Sequence, residues 1–373
     1  MIDRRLINNF DWSILLVVLL LSLIGVITIY SATRPVLDAE QQSFYLRQFF
    51  WIGLSIISFV VVSSIDYKWL IRYAYQIFFL GVLLLIFVLL AGREGMGAQR
   101  WLSLGFLSFQ PSEFFKLFFI VALSRYMSES GNDRNLDMGD LLWILAVFVS
   151  VPFILILKQP DLGTALLLFF IFISMVLMAG VRKKIIIVTL IIGLISLPFV
   201  GNLLWQGLEG YQRHRLIAFV DPQVDPQGVG YHINQSKVTI GSGGVFGKGY
   251  QKGTQGPLRF LPERHTDFIF SIFAEEWGFV GSLFLFLLYL FLILKGFDTV
   301  RLARDSSGSF LALGITYMFT FYFVVNISMT LGIAPVVGAP LPLMSYGGTA
   351  LLSNFLALGL IQNIRMRRSF LAY

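Results

Sequence analysis

Apolar residues fill this chain in long blocks separated by short polar stretches. Blocks near 20 residues read as membrane helices, because an α-helix rises about 1.5 Å per residue and must cross about 30 Å of hydrocarbon. The pattern predicts ten spans, at residues 12–31, 45–64, 69–91, 110–127, 141–157, 160–179, 184–201, 266–295, 309–331 and 341–363. The fourth is the least apolar, since Glu113 and Lys116 fall in its first turn. The expected fold class is an all-α polytopic membrane protein, with one membrane domain over residues 1–373. No small-residue cleavage site follows the first block, so it reads as a span and not as a cleaved signal.

Charge then orients the spans. With the N-terminus inside, the inner segments hold 15 Lys and Arg, from Arg4 and Arg5 to Arg365, Arg367 and Arg368. The short outer loops hold five: Arg34, Arg47, Arg93, Arg100 and Lys158. By the positive-inside rule both termini are cytoplasmic, as an even number of spans requires. The net charge of +7 is thereby mostly topological, and no nucleic-acid partner is expected. Composition agrees with the membrane reading: 57% hydrophobic, 13% charged and a mean hydropathy of +0.78. The absence of cysteine excludes disulfides, thiolate metal sites and a cysteine nucleophile.

One outer segment differs from the rest. Residues 202–265, between spans seven and eight, form a long extracytoplasmic loop rich in Gly and Pro. It carries Arg213, Arg215, Lys237, Lys248, Lys252, Arg259 and Arg264. That suits either a solvated loop or a basic surface for an anionic ligand at the outer leaflet. A long loop without structure of its own is uncommon unless it acts as a lid or binding surface.

Three polar clusters interrupt the apolar pattern, all at the outer face. The first runs from Arg100-Trp101-Leu102 to Gln110-Pro111-Ser112-Glu113 and Lys116. Glu113 and Lys116, three apart, share one helical face, as an internal ion pair or as part of a site. The second is Lys158-Gln159-Pro160-Asp161-Leu162-Gly163-Thr164, where Asp161 suits either an N-terminal helix acid or a site residue. The third is Glu263-Arg264-His265-Thr266-Asp267, at the start of span eight. Asp267 is either an N-cap or a functional carboxylate. An ionisable group at the edge of a span is a functional hypothesis by default, and the density of charge around it favours that reading.

The glycine run Gly241-Ser242-Gly243-Gly244-Val245-Phe246-Gly247-Lys248-Gly249 resembles a phosphate cradle in composition. It lacks the preceding strand, the Ser or Thr after the Lys, and a cytoplasmic location, so a nucleotide site is rejected. A contact from its backbone or Lys248 to a lipid pyrophosphate stays open. Pro340 to Thr349 is an irregular start to span ten, and Ser345 to Gly348 are expected to line the same cavity. His214, His232 and His265 lack ligand spacing to one another. No cofactor is demanded, although Mg²⁺ or Mn²⁺ held by carboxylate and phosphate oxygens would leave little trace in sequence.

Four motifs, in order along the chain, take the reading further: Phe109-Gln110-Pro111-Ser112-Glu113, Gln159-Pro160-Asp161-Leu162-Gly163-Thr164, Pro262-Glu263-Arg264-His265-Thr266-Asp267-Phe268-Ile269-Phe270 and Pro342-Leu343-Met344-Ser345-Tyr346-Gly347-Gly348. Together they resemble the SEDS family (shape, elongation, division and sporulation), and the resemblance runs from span one to the C-terminus. Thr349 is a small departure, where a Ser often follows the two glycines. Arg264 and the short N-terminal stretch favour the elongation branch over the division branch. The resemblance implies a peptidoglycan glycosyltransferase that polymerises lipid II into β-1,4 glycan strands at the outer face of the bacterial cytoplasmic (inner) membrane. Undecaprenyl pyrophosphate would be the leaving group. The family's essential aspartate falls on Asp267. Implied partners are lipid II, a class B penicillin-binding protein acting as transpeptidase, the MreB-associated elongation machinery and the membrane lipids.

An α-linked donor giving a β product means inversion in one displacement. It needs a single base for the acceptor hydroxyl and no second carboxylate as nucleophile. Asp267 is assigned as that base. Arg100, Lys116, Lys248 and Arg264 are candidates for holding the pyrophosphate, with Glu113, Asp161, His265 and Ser345 in the substrate-binding surface. The alternative is a lipid II flippase, which needs a polar path through the whole membrane. The polar interruptions here concentrate in the outer half. A pure scaffold would leave Asp267 unexplained.

Overall fold

The computed structural model describes residues 9–33, 43–95, 98–104, 107–130, 136–182, 184–188, 228–254, 261 and 263–368, with single positions between 191 and 219. In hydrocarbon every backbone N–H and C=O must be satisfied within its own segment, and the apolar blocks accordingly fold as helices. They are α1 (Trp12–Thr33), α2 (Phe44–Ser64), α3 (Tyr67–Arg72), α4 (Ala74–Ala91), α5 (Pro111–Ser130), α6 (Met138–Lys158) and α7 (Leu162–Gly180). After them come α8 (Val229–Ser242), α9 (Ile269–Leu302), α10 (Ser306–Thr330) and α11 (Gly348–Met366). Among the described residues seven helices are long and apolar enough to cross a membrane: α1, α2, α4, α6, α7, α9 and α10. The chain is thus a multi-pass membrane protein. The expected span at 184–201 lies mostly outside the described residues.

Three expectations are corrected. The block 69–91 is not one helix: α3 is capped by Asp66, whose carboxylate accepts from the Lys68 N–H, and α4 restarts after Tyr73. The chain is not wholly helical either. Arg93–Gly95 (β1), Ala98–Leu104 (β2) and Leu107–Phe109 (β3) form an antiparallel sheet between α4 and α5. Nor is 202–265 only loop, because it contains α8. Ser236 of α8 hydrogen-bonds Ser271 at 2.7 Å and the Thr330 carbonyl at 2.6 Å, seating α8 on α9 and α10.

Ion pairs mark one end of the bundle. Asp11 accepts from Lys295 at 2.9 Å and forms an ion pair with Arg365 at 2.7 Å, while Arg365 also reaches Asp298 at 2.7 Å. Lys68 meets Asp305 and Arg367 meets Asp66 at the same end. At the other end of α1, Ser31 hydrogen-bonds Glu276 of α9. The two helices therefore run antiparallel, and Glu276 and Lys295 stand about 30 Å apart along α9.

A break in α9 explains the glycine-rich run. Gly278 has φ 66° and ψ −163°, a conformation open essentially to glycine alone. It interrupts the helical ladder, freeing the carbonyls of Glu275 and Glu276 and the N–H groups of Phe279 and Val280. The 244–249 turn takes all four. Lys248 and Gly249 donate to the two carbonyls at 3.0 and 2.9 Å. Phe279 and Val280 donate to Gly244 and Val245 at 2.9 and 3.1 Å. A Cβ on Gly278 would stand 2.2 Å from the Gly247 nitrogen. Gly278→Ala should cost at least about 1–3 kcal/mol and loosen the turn. A lower thermal midpoint together with faster amide exchange at Lys248 and Gly249 would confirm it.

Candidate functional site

Asp267 sits in a turn ahead of α9, at the end of the bundle opposite the Asp11–Arg365 cluster. The Glu263 carbonyl accepts from the N–H groups of Thr266 and Phe268, both at 3.2 Å. The helix starts at Ile269 with Phe268 in the capping position, so Asp267 is not the N-cap. Neighbouring elements then hold the turn by its main chain. The Ser345 hydroxyl donates to the Thr266 carbonyl at 2.7 Å, and the Tyr346 N–H donates to the His265 carbonyl at 2.9 Å. The Asn326 amide donates to the Asp267 carbonyl at 2.9 Å. Beneath them Ala32, Ile233, Leu261, Phe268, Ile272, Met329 and Val336 form a small apolar core of their own. Asp267 is a half-buried residue on an anchored turn.

Below this turn lies the Glu113–Lys116 pair. Lys116 is 1% exposed, 2.7 Å from the Glu113 carboxylate and 2.5 Å from the Tyr322 hydroxyl of α10. A small void borders Glu113, Lys116, Tyr322, Leu341 and Ser345, so the pair and the Ser345 turn share one space. Thr164 lies beside Tyr322. Asp161 caps α7, accepting from the Thr164 N–H at 3.1 Å and its hydroxyl at 3.0 Å. Both readings of Asp161 are therefore compatible: it caps a helix and it borders the site. Arg100, carried on β2, lies 4.0 Å from Asp161 and donates to the carbonyls of Gln159 and Pro160.

Glu113, Lys116, Asp161, Arg100, Ser345 and the Asp267 turn are thus brought to one end of the bundle. Lys248 belongs to a different group. Its ammonium is 2.6 Å from the Glu275 carboxylate, which also accepts from the Thr254 N–H at 2.8 Å and hydroxyl at 3.0 Å. With its backbone N–H on the Glu275 carbonyl as well, Lys248 fastens a loop to α9, and the contact to a pyrophosphate left open from sequence gains no support. Arg264 is 6% exposed within the turn itself. Tyr322, Asn326 and Gln48 were not anticipated. Gln48 donates to the Ser345 carbonyl at 3.2 Å and accepts from the Gly347 N–H at 3.3 Å. A polar residue inside a strongly apolar block was the available signal for each.

His265 packs its ring against Phe44 at 4.9 Å and Tyr346 at 5.8 Å. Burial pushes its pKa below the ordinary value; the Arg264 charge adds to the effect and Glu263 opposes it. The neutral ring is therefore favoured in the fold. Its contribution to stability is complete above about pH 6.5, the unfolded value, and is lost as pH falls toward the lower folded value. Between pH 7 and pH 5 the wild-type melting temperature should fall further than that of His265→Phe.

A family model for cell cycle proteins, spanning FtsW, RodA and SpoVE, matches residues 11–369. The chain belongs to this family, SEDS. Among its SEDS relatives, the peptidoglycan glycosyltransferase MrdB of Escherichia coli K12 is 36% identical over 364 residues, 98% of this chain and 95% of that one. The peptidoglycan glycosyltransferase RodA of Treponema pallidum is 34% identical over 436 residues, 98% of this chain and 99% of its own. A solved chain from a peptidoglycan synthase complex that coordinates polymerization and crosslinking superposes with a TM-score of 0.81 at 31% identity, covering 97% of this chain and 99% of that one. The crystal structure of rod shape determining protein RodA from Thermus thermophilus gives 0.70 at 29% identity, with 96% and 98% covered.

Proposed function

We propose that the chain is a peptidoglycan glycosyltransferase that polymerises lipid II into β-1,4 glycan strands during cell elongation. The observation that carries the reading is the anchored turn at residues 263–268, which holds Asp267 above a buried Lys116–Glu113 pair. The names of the SEDS relatives support the activity. In the proposed orientation ten spans cross the bacterial inner membrane with both termini cytoplasmic. Asp267 and the 202–265 segment then face outward. The ion-paired end bearing Asp11, Lys295 and Arg365 has the basic character of an inner face.

Asp267 would take the proton from the acceptor 4-hydroxyl as its oxygen bonds to the donor's anomeric carbon. The bond from that carbon to the pyrophosphate oxygen breaks in the same displacement, inverting the centre. Undecaprenyl pyrophosphate leaves with the electron pair. Arg100 and Lys116 would meet its charge, in an environment where burial strengthens the attraction. Among the described residues no three His, Asp or Glu side chains gather at one point. Asp267 and the substrate phosphates would supply the oxygens that hold a divalent ion, which would give Lewis-acid help to the leaving group.

A flippase would continue the polar cavity inward. Within about two turns inward of Lys116 on α5 and of Tyr322 on α10, Phe119, Ile120, Ile315 and Phe319 are all buried apolar residues. That packing favours chemistry at one face. A transpeptidase of the class B penicillin-binding type is the proposed partner, in keeping with the solved peptidoglycan synthase complex, and the MreB-associated machinery is proposed beyond it. The test is lipid II turnover by the purified chain with its transpeptidase in detergent, where there is no second leaflet. Strands should form, whereas a flippase would make none.

A further inference from the structure

The base of a displacement reaction acts only when its carboxylate is held on the acceptor hydroxyl, and misplacement by about 1 Å can cost roughly 10²-fold. Asp267 lies in a turn, so its place is set by what grips the turn's main chain. Asn326 does so at residue 267 itself. Its side-chain amide donates one N–H to the Asp267 carbonyl at 2.9 Å and the other to the Ala339 carbonyl at 2.7 Å. Two carbonyl acceptors require the amide nitrogen on that side, which fixes the orientation of the group. The residue is completely buried, and its Oδ1 has no hydrogen-bond partner. A leucine would fill the same space without that orphaned acceptor. What it could not supply is the pair of donors.

The same helix holds the other half of the site. Tyr322 is four residues earlier in α10, on the same face and about 6 Å down the axis. Its hydroxyl accepts from Lys116 at 2.5 Å, and its ring lies 4.4 Å from the ammonium. One face of α10 therefore carries the clamp on the carboxylate turn and, one turn away, the clamp on the buried cation. We propose that Asn326 is a positioning residue for Asp267, fixing the separation between the base and the Lys116–Glu113 floor through the main chain. Its bond is to the Asp267 main chain. The bond to Ala339 extends the clamp to the segment that leads into the Ser345 turn, so both polar turns are set from one side chain.

The proposal rests on the glycosyltransferase reading, and two measurements keep the two separable. The first is lipid II polymerisation by the full chain in complex with its transpeptidase, comparing wild type, Asn326→Leu and Asn326→Gln. Gln keeps both donors on a longer arm. The Leu variant should lose about 10–100-fold in kcat with KM changed by less than about threefold, and Gln should recover part of the loss. The second is amide hydrogen exchange in the Glu263–Phe268 segment, which needs no turnover. It should speed up in Asn326→Leu while α1 and α2 keep wild-type protection. A general structural role would instead lower protection throughout and leave kcat per folded molecule unchanged. Wild-type kcat in Asn326→Leu, or unchanged exchange in the turn, overturns the positioning role. A wild-type chain that makes no strands overturns the glycosyltransferase reading, and exchange in the turn still decides the role of Asn326.

Discussion

Lys116→Leu should destabilise the bundle by about 3–5 kcal/mol, because it leaves the Glu113 carboxylate buried without its counter-charge. Glu113 is 5% exposed and Lys116 1%, so water cannot take over the role of either partner. Tyr322 does not substitute for the cation, since its hydroxyl accepts from Lys116 rather than neutralising Glu113. The pair is costly to break but not costly to replace. A double variant, Glu113→Gln with Lys116→Met, removes both charges and should recover most of the lost stability. Thermal unfolding in one detergent separates the cases: a large drop for the single variant and a small one for the double. Catalysis should not separate them: both lose the Lys116 charge, and on the proposed mechanism neither should polymerise at the wild-type rate.

Asp267→Asn should lower kcat by about 10²–10⁴-fold, the usual contribution of a general base. Asparagine keeps the size and the main-chain bonds of the residue, and the anchors from Asn326, Ser345 and Tyr346 all reach carbonyls of the turn. The fold and the apparent KM should therefore change little. This separates the variant from Lys116→Leu, in which stability and activity fall together.

The membrane pattern was legible from the sequence, because hydrocarbon imposes a length and an apolar composition on every crossing helix. Pro111-Ser112-Glu113 starting α5 and Asp161 capping α7 were legible too, since caps and first-turn acids are local signals. The helix break at Gly278 was not. Its neighbours Phe279 and Val280 fit a continuous apolar helix, and the turn that satisfies the broken ladder lies about 30 residues earlier in the chain. For the same reason Lys248 read as a candidate for the pyrophosphate: Glu275, its partner, appears 27 residues later. Tyr322 and Asn326 looked like isolated polar residues in an apolar span. Only the packing of α10 between the 263–268 turn and α5 shows what they hold. The small sheet carrying Arg100 escaped because its strands are only three to seven residues long.

The central claim is that Asp267 is the base of a polymerising glycosyltransferase. Its most direct test is the rate of lipid II polymerisation by the purified chain with its transpeptidase partner, wild type against Asp267→Asn, with both proteins shown to be folded and partner-bound. Glycan strands from the wild type and a loss of about 10²-fold or more in the variant is the predicted result. Polymerisation by Asp267→Asn at the wild-type rate would contradict it.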